Sequence, residues 1–311
     1  MEPEIAADTT DVGASGSRRI DRRQALRLFG LAGVGGVLWA GCGSDSGSSS
    51  AVTTAAPPTT AGPTATTAAT ASTTATSSTE ASGWAVGGTD LISVPFPDDG
   101  IFDAAGTCPV ALTTGLTEGP CYYEEDTGTD ISAGLTGLPM QLSLRLIDAD
   151  CRPVPDHVVE VWHCDTEGLY SGDTSASGDA ARFRGDFCTS GDEFAESNTY
   201  YRGMLTSGAD GRVDFLSCFP GWYSTRTLHI HVAVSDPSGE RRIISQLCFA
   251  DDLVTEICTT HELYADRGDQ DTPLAGGRDM FFPSSGFDEF VLTVERNPDG
   301  TMLAYHNIQI A

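Results

Sequence analysis

Residues 228–234 read Leu228-His229-Ile230-His231-Val232-Ala233-Val234, a run in which every second residue is a large aliphatic one. Alternation of this kind indicates a β-strand, because successive side chains of a strand point to opposite faces. Ile230 then faces the core, while His229 and His231 project together from the other face. The stretch predicts a strand that carries two imidazoles on one surface, where they could bind one metal ion.

Similar short runs recur along the chain. Met140–Ile147 alternates as a half-buried strand would, and β-branched or aromatic residues fill the other runs. Clusters of Gly, Pro and Asp separate them, and no helix-period segment of useful length follows residue 84. The pattern predicts an all-β fold, a β-sandwich with long loops and little helix. The remaining predicted strands are Val158–Cys164, Val213–Phe215, Ile243–Phe249, Phe290–Val294 and a last one after the turn Asn297–Gly300.

Composition excludes several classes of protein. The 311 residues include 17 Arg, no Lys and 44 acidic residues, for a formal charge of −27. Such a charge repels phosphate backbones, so no nucleic-acid partner is expected. A hydrophobic content of 40% is enough for a packed core and excludes wholesale disorder. No run of about 20 apolar residues occurs, which excludes an ordinary membrane-spanning helix.

Residues 1–41 have the pattern of an export signal. Arg22 and Arg23 resemble a twin-arginine motif and precede the apolar run Leu28–Ala40, which is too short to span a bilayer. Leu38–Cys42 resembles a bacterial lipobox, with Cys42 as the acylated residue. The expected location is therefore outside the cytoplasm, either secreted or anchored to the outer face of the cytoplasmic membrane. The alternative is a short buried helix at the start of a domain.

Residues 42–83 consist almost entirely of Ser, Thr, Ala, Gly and Pro, and predict a flexible tether. The folded domain is then expected over residues 84–311. Beyond Cys42 the chain holds eight cysteines, an even set that predicts up to four disulfides in an exported domain, with the pairing left open. The rival interpretation is a thiolate metal site, which the absence of any C-x-x-C pair disfavours.

Two runs carry the candidate chemistry. Phe219–His231 joins a Pro-Gly turn, Tyr223 and Arg226 to the paired histidines, and Val161–Ser171 passes from a strand into a glycine turn that carries Tyr170. Each residue also has a plain structural interpretation. Tyr170 could be a rim aromatic, Tyr223 a packed corner tyrosine and Arg226 a surface ion-pair partner. Taken singly, none of them specifies a site.

Together these runs resemble the intradiol ring-cleavage dioxygenases, non-haem iron enzymes that open catechols. The resemblance covers about residues 117–250 and is nearest to the exported, lipoprotein-like members. It rests on an ordered series of motifs: Thr117-Glu118-Gly119-Pro120, Cys151-Arg152-Pro153-Val154, Trp162-His163-Cys164-Asp165, Gly168-Leu169-Tyr170-Ser171, Arg202-Gly203, Pro220-Gly221-Trp222-Tyr223, Arg226, His229-Ile230-His231 and Gln246-Leu247.

The resemblance implies a metal site and roles for the residues around it. The implied Fe(III) ligands are Tyr170, Tyr223, His229 and His231, with Tyr223 as the ligand that substrate displaces. Phenolate suits Fe(III), since a bound trivalent ion removes the proton of a tyrosine whose free pKa is about 10. The resemblance further implies that Arg226 stabilises charge on the substrate ring and that Gln246 orients one of the ligands.

The implied function is an exported Fe(III) dioxygenase that cleaves a small aromatic diol with O2 between its two hydroxyl-bearing carbons, giving cis,cis-muconate-type products. One alternative is a non-catalytic β-sandwich module that binds aromatics or cell-wall polymer at the cell surface. Another is a purely structural surface domain. A probable lipid anchor at Cys42 is the only membrane contact expected, and the oligomeric state is left open.

Overall fold

Eight strands form two four-stranded sheets in the computed structural model, which describes residues 83–103, 113–125, 128–173 and 186–310. The first sheet has the order β4-β1-β8-β7 and the second the order β3-β2-β5-β6. All neighbouring strands are antiparallel except β1 and β8. The strands are β1 (Pro139–Ile147), β2 (Val158–Trp162), β3 (Arg202–Thr206), β4 (Arg212–Cys218), β5 (His229–Ser235), β6 (Arg241–Cys248), β7 (Thr293–Arg296) and β8 (Met302–Gln309).

The predicted β-sandwich with little helix is confirmed. Two single-turn α-helices, α1 (Gly100–Asp103) and α2 (Glu193–Glu196), accompany one longer helix, α3 (Asp251–Thr260). Four short 3₁₀ segments complete the helical elements of the described residues: Thr89–Leu91, Ala265–Arg267, Leu274–Gly276 and Asp288–Phe290. No helix in the described ranges is both long and apolar enough to cross a membrane. The predictions for residues 1–82 lie outside the described residues.

The core lies between the inner faces of the two sheets. Alternate residues of β1 meet alternate residues of β5, and the buried cluster includes Leu142, Leu144, Ile230 and Val232. Each of these side chains is essentially inaccessible to water. Burying a large aliphatic side chain stabilises the fold by about 1.5–3 kcal/mol, so this layer fixes which face of every strand points inward. The residues between them, including both histidines of β5, must then face outward.

Two details of the sequence prediction are wrong. Residues 251–260 form helix α3, whose Val254, Ile257 and Cys258 are buried at the helical spacing of three and four residues. Strand β1 is buried on both faces rather than half-buried, because residues 94–103 cover its outer face. There Gln141 donates to the Val94 carbonyl at 3.2 Å. A half-polar strand pattern does not reveal a covering segment that lies about 40 residues away in sequence.

The prediction of up to four disulfides is also too high. Cys121 and Cys188 are bonded and Cys151 is disulfide-bonded as well, but four described cysteines are buried free thiols. These four lie in separate apolar clusters, so no two of them share one packing environment. Burial of a thiol as a small apolar group accounts for them without any cross-link. The free thiols are Cys164, Cys218, Cys248 and Cys258.

The Cys121–Cys188 disulfide closes a loop with a sequence separation of 67 residues. A loop of that length stabilises the folded state by about 4 kcal/mol in the chain-entropy model. We predict that the double variant Cys121→Ser, Cys188→Ser loses a few kcal/mol of unfolding free energy in a urea titration. The control is Cys258→Ala, which removes a buried sulfur but no cross-link. A double variant no less stable than the control would show that the bond contributes nothing.

Candidate metal centre

The outer face of the second sheet holds the paired histidines. Strand β5 lies between β2 and β6, and its register places Trp162 on one side of His231 and Gln246 on the other. His229 and His231 project from the face opposite Ile230 and Val232, as the alternation predicts. Loops cover this face, so that His229 is only 2% exposed and His231 only 3%.

Two glycines let the tyrosine-bearing loops meet. Gly221 lies so close to the loop after β2 that a Cβ would be 2.5 Å from the carbonyl oxygens of Asp165 and Thr166. Gly168 has a φ of +79°, and a Cβ there would be 2.4 Å from the Trp222 carbonyl oxygen. The Gly221 amide donates to the Asp165 carbonyl at 3.0 Å and fixes the contact. Only glycine permits this approach, which brings Tyr170 and Tyr223 together.

The donor atoms of four side chains converge at one point. The Tyr170 hydroxyl lies 3.5 Å from both the Tyr223 hydroxyl and His229 Nε2. The Tyr223 hydroxyl is 3.3 Å from His229 Nε2, which is 3.1 Å from His231 Nε2. Atoms bound to one metal at about 2.1 Å, with angles from a right angle to trigonal, lie about 3.0–3.6 Å apart. The four side chains therefore fit a single metal ion.

Neighbouring groups orient both imidazoles. A carbonyl oxygen can only accept, so His229 Nδ1–H donates to the Thr227 carbonyl at 2.5 Å. The Nε2 lone pair of His229 is then directed at the cluster, as in many metal sites. The His231 ring lies flat on the indole of Trp162, with ring centroids 4.8 Å apart and an interplanar angle of 10°.

Burial keeps the metal-free cluster uncharged. It lowers the pKa of His229 to about 3 and that of His231 well below its usual value, with the nearby Arg226 charge and, at His231, the other imidazole adding to the effect. Burial also raises the pKa of Tyr223 to about 12 and raises that of Tyr170 well above its usual value. Two neutral imidazoles are ready ligands, whereas the two phenols need a cation to compensate their ionisation. Within the described ranges no three His, Cys, Asp or Glu side chains cluster, so this mixed set is the candidate.

A cavity of about 470 Å³ reaches the two phenols. Tyr170 and Tyr223 form its inner wall, and Phe187 lies at its rim. The Cys121–Cys188 disulfide lines the same cavity, and the Cys188 carbonyl accepts the Tyr170 amide at 2.8 Å. A small molecule in the cavity would therefore contact both phenols.

The remaining predicted residues occupy different positions around the cluster. Arg226 is 6% exposed and close enough for its charge to act on the phenols and imidazoles. Gln246 does not contact a ligand through its hydrogen bonds: its Oε1 accepts from Arg226, and its Nε2 donates to the Thr117 carbonyl at 2.9 Å. The structure therefore ties Gln246 to Arg226 rather than to a ligand. His163, which the sequence assigns no ligand role, bonds Ser217 at 2.8 Å.

Sequence reasoning missed Asp279, whose carboxylate binds Arg226 Nε at 3.0 Å. It also missed strand β3, from which Arg202 reaches the residue after Tyr170 by donating to the Ser171 carbonyl. The Arg202-Gly203 pair appeared only as a motif, without a role. Nothing in the local pattern around residue 279 indicates that this loop returns to the site.

Comparisons with known proteins find similar sequences over part of this chain. Residues 118–264 match a family model described as Dioxygenase. The chain is 31% identical over 148 residues to the catechol 1,2-dioxygenase of Acinetobacter baylyi, covering 45% of this chain and 44% of that protein. It is 26% identical over 157 residues to the hydroxyquinol 1,2-dioxygenase of Nocardioides simplex, covering 43% and 46%. The chain thus spans less than half the length of these curated relatives.

The fold is shared with a solved intradiol ring-cleavage dioxygenase from Tetranychus urticae. That structure aligns with a TM-score of 0.52 at 22% identity and covers 64% of this chain and 94% of the other. The family match covers the segment that carries both tyrosines and both histidines. Together these matches indicate the intradiol ring-cleavage dioxygenase family for the segment at residues 118–264.

Proposed function

We propose that this protein is a non-haem Fe(III) dioxygenase that cleaves catechol-type rings between the two hydroxyl-bearing carbons, consuming O2 and giving cis,cis-muconate-type products. The observation that carries the proposal is the convergence of two phenols, which line a cavity, with two imidazoles. The names of two curated relatives, a catechol and a hydroxyquinol 1,2-dioxygenase, support the substrate class. Tyr170, Tyr223, His229 and His231 would hold the iron.

Bound Fe(III) would supply a Lewis acid for the two oxygens of a catechol. Phenolate oxygen and imidazole nitrogen form a harder donor set than thiolate, in keeping with a ferric ion. Tyr170 and the two histidines are buried, so they hold the site and exclude water from it. Tyr223 is partly exposed and borders the cavity. As a phenolate, the form that a bound cation would stabilise, its Oη is the atom best placed to take a proton from an entering catechol hydroxyl.

Arg226 supplies a fixed positive charge beside the cluster. Its guanidinium donates to Gln246 and Asp279, so it is held in place before any substrate enters. A preorganised cation stabilises negative charge that develops on the ring without the cost of reorientation. The expected role of Arg226 is to stabilise the reacting ring, and Gln246 and Asp279 hold Arg226 in place.

Oxygen uptake with catechol and with hydroxyquinol tests the proposal. We predict that the iron-loaded protein consumes one O2 per diol and that Tyr170→Phe or His229→Ala reduces the rate at least about 100-fold, since each removes a metal ligand. The matched controls are Tyr305→Phe and His157→Ala, which alter the same residue types away from the cluster. Binding of catechol with no oxygen uptake would favour a non-catalytic aromatic-binding module instead.

Colour provides a test that needs no turnover. We predict that metal-free protein turns red-brown when one Fe(III) binds, because phenolate-to-iron charge transfer absorbs visible light. Tyr223→Phe should keep iron with a weakened band, and the double variant with Tyr170→Phe should lose the band. Zn²⁺ in place of iron should give no colour, and a chelator that removes the iron should bleach the iron-loaded protein. A colourless protein that nevertheless binds one Fe(III) would exclude phenolate ligation.

We also propose that the protein is exported and held to the outer face of the cytoplasmic membrane by a lipid on Cys42, with residues 42–83 as a tether. The support is the sequence alone: paired arginines, a short apolar run and a lipobox-like end. An active site of buried donors around a metal suits an export route that carries folded proteins.

Cell fractionation of the full chain tests this location. We predict that the protein is found with the membrane fraction outside the cytoplasm and that Cys42→Ser releases it in soluble, exported form. Changing Arg22 and Arg23 to Lys together should retain it inside the cell, while Cys258→Ser should have no effect on location. Soluble cytoplasmic protein from the unaltered chain would contradict the proposal.

A further inference from the structure

Arg226 is held from three directions. Its Nε donates to Asp279 Oδ2 at 3.0 Å, and its Nη2 donates to Gln246 Oε1. The ring of Phe281 lies against the guanidinium, with its centroid 4.6 Å from Cζ. The two charged side chains are both nearly inaccessible to water. A buried ion pair with this many partners restricts the guanidinium to one orientation.

The carboxylate of Asp279 also organises the segments on either side of the pair. Its Oδ2 accepts the Thr227 amide at 2.7 Å, next to Arg226 and two residues before the first histidine. Its Oδ1 accepts the amides of Phe281 and Phe282 at 2.8 and 2.9 Å. One carboxylate therefore joins the loop at 279–282 to the chain that enters β5.

Electrostatics agree with a charged, paired Asp279. Burial alone would raise the pKa of this carboxyl group, but the Arg226 charge and three backbone amides outweigh burial and lower it. On the other side of the pair, the Arg226 charge favours the ionised form of both phenols and disfavours protonation of both imidazoles, while the Asp279 charge opposes it at Tyr223 and His229. The ion pair thus makes the electrostatic potential at the ligand cluster depend on the 279–282 loop.

We infer that Asp279 is a positioning residue for the reaction: it fixes the Arg226 guanidinium beside the ligand cluster, where negative charge develops on a bound catechol. The inference rests on the proposed function. Asp279 lies beyond residues 118–264, the segment that matches the family model, so the family segment alone does not supply it. The 279–282 loop, which appears in the sequence as a plain connection, then completes the active site of this chain.

The test compares the iron-loaded full chain with Asp279→Asn, Arg226→Ala and the double variant. The matched control is Asp236→Asn, since Asp236 also accepts backbone amides, at Ser238 and Glu240, in the turn after the far end of β5. Two readouts are needed: kcat and KM for catechol, and the visible absorption of 4-nitrocatechol bound without O2. The second readout reports the environment of a bound diol without any turnover.

Asp279→Asn should lower kcat on the order of 10- to 100-fold with little change in KM, because a mobile guanidinium stabilises the reacting ring less than a fixed one. The iron content and the phenolate band should stay, while the spectrum of bound 4-nitrocatechol shifts as it does in Arg226→Ala. In the Arg226→Ala background the asparagine should cause no further loss of kcat. Asp236→Asn should behave as the unaltered protein.

The inference is overturned if the effects of the two substitutions multiply, or if Asp279→Asn behaves as Asp236→Asn. If Asp279→Asn fails to fold, Phe281→Leu is the substitute. It removes the aromatic ring against the Arg226 guanidinium but leaves the hydrogen bond from the Thr227 amide to Asp279. It should give a smaller loss of kcat at constant KM, and no loss would equally overturn the inference. An unaltered protein without oxygen uptake would reject the proposed function itself, whereas an active protein with an unaffected Asp279→Asn would reject only the role of Asp279.

Discussion

The alternation of strand β5 is the constraint on which the site depends. Ile230, Val232 and Val234 are fixed in the core between the sheets, so the residues between them must leave the core on the opposite face. A shift of one residue in register would bury the imidazoles among aliphatic side chains and expose the aliphatic ones. The same packing that stabilises the sandwich thus holds His229 and His231 side by side.

The phenols reach the imidazoles because two loops can pack backbone against backbone. Gly168 and Gly221 permit that approach, and the hydrogen bond from the Gly221 amide to the Asp165 carbonyl fixes it. The outcome is an enclosed set of donors that carries no charge until a cation binds. Burial makes ionisation of Tyr170 and Tyr223 unfavourable without a cation, so the cluster is matched to a highly charged ion.

The sequence predicts what depends on local pattern. The alternation at residues 228–234 correctly indicates a strand with two histidines on one face, and the ordered motifs identify the family. What it misses depends on contacts between distant segments. Helix α3 has only a short apolar face. The second cover on β1 comes from residues 94–103, and the link from Asp279 to Arg226 spans 53 residues. The cysteine count overstates the disulfides because a buried thiol and a half-cystine look alike in sequence.

The central claim is that Tyr170, Tyr223, His229 and His231 share one iron ion. Diffraction from crystals of the iron-loaded protein, collected on both sides of the iron absorption edge, tests this claim most directly. The account predicts one strong anomalous peak within bonding distance of the Tyr170 hydroxyl and of Nε2 of both histidines. A peak elsewhere, or no peak in protein shown to contain iron, would contradict it.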